Sequence, residues 1–171
     1  MANKTNGNLT GIKSAMLDRL KSLYDFKQGL DEFASFELLS ELCACSGEIN
    51  REISVYISRD GSIVDVSVGD SAKVSMPSMR LVRNEDRLCG VRCIHTHPSG
   101  DGRLSGVDLG TLRSMKLDCM AAVGGQTHSA LRGLSRRFRR RHRQPRRACV
   151  RTHAALQAPA KSTDCGNFQF G

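Results

Sequence analysis

The sequence predicts a mixed α/β fold of α+β character, a sheet with flanking helices, and three observations carry that prediction. Two segments in the first 47 residues repeat apolar side chains at helical spacing. The next two segments alternate apolar and polar residues around a turn, and a later strand-like run leads through a polar loop into a helix start. The chain then changes character after Gly124. Residues 1 to 124 carry 15 Lys and Arg against 16 Asp and Glu, whereas residues 125 to 171 carry 11 basic residues and a single acid, Asp164. The formal charge of +9 is therefore a property of the last stretch, and the first 124 residues are near neutral.

Taken in order, residues 9 to 24 place Ile12, Met16, Leu20 and Leu23 on one helical stripe, with Leu17 and Tyr24 beside it. A second helix is expected from about Asp31 to Cys45, with Phe33, Phe36, Leu39, Leu42 and Cys43 inward and Gly47 as its stop. From Glu52 to Ser58, Ile53, Val55 and Ile57 alternate against Glu52, Ser54 and Tyr56. Arg59-Asp60-Gly61 is a turn signal, and Ile63, Val64, Val66 and Val68 form the return strand. Val74 to Met79 fits an edge strand at most, because Pro77 lacks the amide a central strand needs. Arg83 to Arg87 is a charged loop, Leu88 to His97 a strand, and Pro98 to Leu104 a polar loop. Ser105 is a good helix N-cap with an acid three residues on. The helix it starts runs to about Lys116, with Val107, Leu112 and Met115 inward. Leu117 to Val123 reads as a further buried strand.

The opening Met1 to Asn8 is polar, and no apolar run approaches the roughly 18 residues that a bilayer crossing takes. Seven cysteines at irregular spacing, without a secretory context, predict reduced thiols in a cytoplasmic protein. Cys43, Cys45, Cys89 and Cys93 read as small buried hydrophobes rather than ligands.

The chemistry concentrates in His95-Thr96-His97-Pro98 and, after the loop, Ser105 and Asp108. Alternate residues of a strand share a face, so His95 and His97 project together. Asp108 lies in the first turn of the next helix, close to the strand end. Two imidazoles and one carboxylate form a three-ligand metal set with a position left for water, the layout of a catalytic zinc rather than a closed structural one. Zinc so held brings the pKa of water towards neutrality. A general base must then move the proton. Glu52 is the first candidate, on the face opposite Ile53, Val55 and Ile57, with Glu48 second because it precedes the strand. The Ser105 hydroxyl suits an oxyanion donor, and its N-cap position explains it equally well.

A glutamate, His-x-His-Pro, a serine and an aspartate at this spacing resemble the JAMM/MPN metalloproteases, and His-Pro-Ser-Gly-Asp is most similar to their bacterial RadC-type members. The resemblance covers about residues 48 to 124. It implies a JAMM/MPN-like sheet, zinc on His95, His97 and Asp108, Glu52 as acid and base, Ser105 as oxyanion donor, and a peptide or isopeptide substrate. A wider resemblance, over residues 6 to 124, is to the N-terminal extension of clostridial HflX GTPases. It rests on Asn8-Leu9-Thr10-Gly11-Ile12, Asn50 to Val55, Val68-Gly69-Asp70-Ser71, Gly90 to His97 and Leu117-Asp118-Cys119. It implies a longer parent protein that binds GTP and associates with the ribosome or RNA. No Gly-x-x-x-x-Gly-Lys-Ser/Thr phosphate loop occurs in this chain, so GTP binding is not expected here.

Beyond Gly124, Arg136 to Arg143 and Arg146-Arg147 sit among Ala, Gln, Pro and Thr without an apolar period, which predicts a disordered tail. Such a tail could bind nucleic acid through phosphate neutralisation, with Phe138 stacking on a base. The competing expectation is a frameshift product, because a buried strand stops where further sheet should follow. The division expected is therefore 1–47, a helical region; 48–124, the JAMM-like metal-binding domain; and 125–171, the Arg-rich tail. With the last strand missing, the sheet edge would be unpaired. The function expected is a truncated HflX-like module with a zinc-hydrolase-type site. The alternatives are a stand-alone zinc peptidase or isopeptidase and a basic nucleic-acid-binding protein.

Overall fold

Alternation in the central strands divides one sheet into two unlike faces, and that division organises the whole domain. The computed structural model describes residues 4–29, 32–70, 90–100 and 102–124, together with the backbone of Ala155–Leu156. The elements are β1 (Thr5–Gly7), α1 (Ser14–Ser22), α2 (Phe36–Ile49), β2 (Ile53–Ile57), β3 (Ile63–Val68), β4 (Arg92–His97), α3 (Gly106–Ser114), β5 (Cys119–Gly124) and β6 (Ala155–Leu156). Strand order is β1-β3-β2-β4-β5-β6. The central pairs β3–β2 and β2–β4 are antiparallel, whereas β1–β3, β4–β5 and β5–β6 are parallel, so the fold is mixed α/β as expected.

The two N-terminal helices are shorter or shifted relative to the apolar pattern, each for a local reason. Before α1, the Asn8 carboxamide accepts the Thr10 amide at 3.2 Å and Gly11 turns the chain at φ +75, so the helix starts at Ser14 rather than Leu9. A 3-10 turn, Leu23–Asp25, finishes it. In α2 the Ser35 side chain accepts the Leu38 amide at 3.2 Å, which fixes the start one turn after Asp31 and leaves Phe33 buried outside the helix. The helix continues through Gly47, because a glycine costs only about 1 kcal/mol in a helix, and it stops where Asn50 adopts the left-handed conformation at φ 50.

The hairpin turn is built by Asp60. Its carboxylate accepts the Ser62 amide and the Ser62 hydroxyl, both at 3.0 Å, and also the Ser58 hydroxyl. At Gly61 a Cβ would lie 1.9 Å from the Gln28 carbonyl oxygen, so only glycine fits there. A bulge beside Tyr56 and Ile57 brings Ile63 opposite Ile57 and keeps both on the helix-packed face.

One face of the sheet carries Ile53, Val55, Ile57, Val66, Val68, Ile94, Ala121 and Val123 and packs against Met16 and Leu20 of α1 and Leu38, Leu39 and Leu42 of α2. The helices of residues 1–47 thus share one core with the strands that follow. The other face carries Tyr56, Cys93, Met120 and Ala122, covered by Leu104, Leu112, Met115 and Leu117 in and around α3. Val107, expected inward, is 76% exposed, because Asp108, Leu112 and Met115 recur at helical spacing and set the inner stripe.

Further expectations meet the structure differently or fall outside it. The strand ending at His97 begins at Arg92, after a turn at Gly90. The outer edge of β5, expected to be unpaired, pairs in parallel over Met120 and Ala121 with Ala155 and Leu156. The edge strand expected at Val74–Met79, the charged loop at Arg83–Arg87, Cys89 and the rest of the Arg-rich tail lie outside the described residues. Among the described residues no helix is long and apolar enough to cross a membrane.

Candidate metal centre

Each candidate side chain reaches the site by a different local device. His95 and His97 alternate with Thr96 along β4, so both imidazoles leave the α3 side of the sheet. Pairing of His95 with Ser54 on β2 and Ala122 on β5 puts His95 in the middle of the sheet, fully buried. His97 ends the strand, and its carbonyl accepts the Gly100 amide at 3.0 Å as the chain turns away.

Glu52 immediately precedes β2, yet it is held in the ladder. Its amide donates to the Asp70 carbonyl at 3.1 Å, and its carbonyl accepts the Gly69 amide at 2.8 Å. That pairing directs its side chain to the same face as His95 and His97. Thr96 secures the same corner from the opposite face: its hydroxyl accepts the Ile53 amide at 2.9 Å and so ties the start of β2 to β4. Thr96 is not among the residues that the His-x-His spacing singles out. The available signal was a hydroxyl residue at a position whose neighbours in the alternation, Arg92 aside, are apolar.

Asp108 arrives on the first turn of α3 through a complete capping box. The Ser105 hydroxyl accepts the Asp108 amide at 3.2 Å, while the Asp108 carboxylate accepts the Ser105 amide at 2.7 Å. The Ser105 hydroxyl also donates to Asp108 Oδ2 at 2.7 Å.

These devices bring together His95, His97, Asp108 and Glu52. His95 Nε2 lies 3.0 Å from His97 Nε2 and 3.4 Å from Asp108 Oδ1, and His97 Nε2 lies 3.9 Å from Asp108 Oδ2. Glu52 Oε1 is 4.0 Å from His97 Nε2. Ser105 touches the cluster through Asp108. Glu48 is turned elsewhere, its carboxylate accepting from Arg19 at 3.0 Å on the helical side. One ligand atom each from His95, His97 and Asp108 falls within 4.8 Å of the others, so these three residues could hold a metal ion.

The two carboxylates are pushed in opposite directions. Burial would raise Asp108, but the hydrogen bond and charge of His95, with the hydrogen bonds from Ser105, outweigh it and hold the carboxyl far below the usual range. Glu52 is raised above its usual range, chiefly by burial; the Asp108 charge adds to the shift and His97 opposes it. Its Oε2 is buried without a hydrogen-bond partner, as is His95 Nδ1. His95, Glu52 and Asp108 are almost entirely enclosed, and His97, with a side chain 14% exposed, is the cluster's most accessible member.

Of the cysteines read as small buried hydrophobes, Cys45 and Cys93 are buried and Cys43 is partly buried, and Cys119 is buried as well. Burial pushes the thiol of Cys43 up to about 11 and those of Cys45 and Cys119 to about 12, and the enclosed Cys93 thiol is raised further. They are protonated packing groups, and the metal-type cluster contains none of them. Comparison with protein-family models, with curated proteins and with solved structures found no match for this chain.

Proposed function

We propose that the chain carries a zinc centre of the hydrolase type, with His95, His97 and Asp108 as ligands and Glu52 as general base. The observation that carries this reading is the convergence of three ligand atoms at distances suited to one small ion. Ligand atoms about 2.0–2.1 Å from a tetrahedral zinc lie about 3.3 Å from one another. The imidazole nitrogens lie 3.0 Å apart and His95 Nε2 lies 3.4 Å from Asp108 Oδ1, both close to that value, while His97 Nε2 comes nearest to Asp108 at its other oxygen, Oδ2, 3.9 Å away. Two imidazoles and a carboxylate also match the donor set of catalytic rather than structural zinc, leaving a coordination position for water or substrate.

A zinc ion held by His95, His97 and Asp108 would supply Lewis acidity and ease the ionisation of water. The residues of the chain supply the rest. Glu52 stands within 4.0 Å of His97 with one carboxylate oxygen unpartnered, placed to accept a proton from an attacking water and return it to a leaving amine. Its raised proton affinity suits both halves of that exchange. Asp108, held as the anion, offsets the charge of a bound cation. The reaction class supported is hydrolysis of a peptide or isopeptide amide.

The full chain, loaded with zinc, is expected to cleave members of a panel of peptides and lysine-linked isopeptides, and Glu52→Gln is expected to remove that activity while zinc stays bound. Equal cleavage by Glu52→Gln would remove Glu52 from this role. A second reading has its own support. Pairing of β1 with β3, and the Arg51 guanidinium donating to the Asn8 and Thr10 carbonyls at 2.8 Å, tie the first residues to the site-bearing sheet. That is the unit over which the chain resembles the HflX extension. On this reading the module holds zinc and serves ribosome or RNA association in a longer protein. It predicts stoichiometric zinc with no amide cleavage.

A further inference from the structure

We infer that Ser105 is a positioning residue that selects which oxygen of Asp108 faces the metal, an inference that rests on the zinc reading above. The Ser105 hydroxyl has one proton, and it is donated to Asp108 Oδ2 at 2.7 Å. The Ser105 amide donates to the same oxygen at 2.7 Å. Two donors on Oδ2, which lies 3.9 Å from His97 Nε2, leave Oδ1 as the uncommitted oxygen, turned to His95 Nε2 3.4 Å away. The return bond, from the Asp108 amide to the Ser105 hydroxyl at 3.2 Å, closes the ring and leaves the carboxylate little freedom to rotate. The N-terminal box of α3 is thereby a device for presenting a single carboxylate oxygen. A hydroxyl so engaged is not aimed at a substrate oxygen, which separates this role from oxyanion stabilisation.

Hydrogen-bond partners of metal ligands typically contribute about 10–100-fold to metal affinity by fixing ligand orientation. Glycine at an N-cap weakens a helix only slightly, so Ser105→Gly removes the hydroxyl and leaves the fold in place. Ser105→Thr keeps both a cap and a hydroxyl. Zinc affinity of the full-length chain, measured by competition with a chromogenic chelator, is expected to fall about 10–100-fold in Ser105→Gly and to return to near the wild-type value in Ser105→Thr. Far-ultraviolet circular dichroism and the metal-free thermal midpoint are expected to stay close to wild type in both. Wild-type zinc affinity in Ser105→Gly overturns the inference and leaves the zinc reading intact, as does an equal loss in the two variants. A wild-type chain that binds no zinc overturns both.

Discussion

The two faces of the sheet are made by the same strands and do opposite things. On the α1 and α2 side, β2, β4 and β5 present Ile53, Val55, Ile94, Ala121 and Val123, all fully buried among apolar neighbours. On the α3 side the intervening residues are Ser54, Tyr56, Cys93 and His95, with Glu52 and His97 at the ends. A side chain such as Ile94 contributes roughly 1.5–3 kcal/mol by leaving water. A buried His95 with an unpartnered Nδ1, or a buried Glu52 with an unpartnered Oε2, costs stability instead. Apolar packing on both faces offsets the cost of the polar cluster at the His95 end of the α3 face, and strand alternation lets cluster and core lie one residue apart.

The largest difference between the faces is expected in activity. Glu52→Gln removes a base and should lower amide hydrolysis by about 10²–10⁴-fold, while its unfolding midpoint in urea stays within about 1 kcal/mol of wild type or rises, since a neutral amide replaces a buried carboxylate. A large loss of stability in this variant would show that Glu52 belongs to the structural face's accounting after all. On the opposite face Leu42→Ala, at a fully buried position in α2, should cost about 2–5 kcal/mol. Zinc bound per folded molecule should not change. Smaller again is Ser35→Ala, which deletes the cap of α2 and should cost about 1 kcal/mol by the same urea measurement.

The smallest effect is an acid-limb one. The Arg19 guanidinium donates to both oxygens of Glu41 and holds that carboxyl below its ordinary value, against the opposing effect of burial. A depressed folded value means that the unfolded chain takes up the proton first as pH falls. The contribution is therefore whole above the ordinary glutamate range and is lost as pH falls through the folded value. Both partners are about a third exposed, so it amounts to under about 1 kcal/mol. Thermal midpoints of Glu41→Gln and wild type should converge as pH drops below about 4. A gap that widens in acid would reverse the sign of the argument.

The faces also differ in how much of each the sequence discloses. Alternation at Ile53, Val55 and Ile57 specified the apolar face because a side-chain period of two is a local property. The spacing of His95, His97 and Asp108 was legible for the same reason: a strand and a capped helix turn each fix direction over a few residues. What was not legible depends on partners distant in sequence. Thr5-Asn6-Gly7 has no strand pattern, and becomes β1 only because Val66–Val68 offers it a parallel edge. Thr96 matters through Ile53, which lies 43 positions earlier in the chain. Glu52 was identifiable as facing the histidines, but its separation from His97 is set by hairpin register across the sheet. Phe33 looked helical by spacing and is buried in the connection instead, because the Ser35 cap decides where α2 starts.

The central claim is the metal centre, and metal content tests it most directly. The full-length chain, prepared under reducing conditions and equilibrated with zinc, then freed of excess, should hold one zinc per molecule by elemental analysis, and His95→Ala and Asp108→Ala, still folded by circular dichroism, should hold none. Folded wild-type protein without zinc, or zinc retained in both variants, would contradict the assignment of the site.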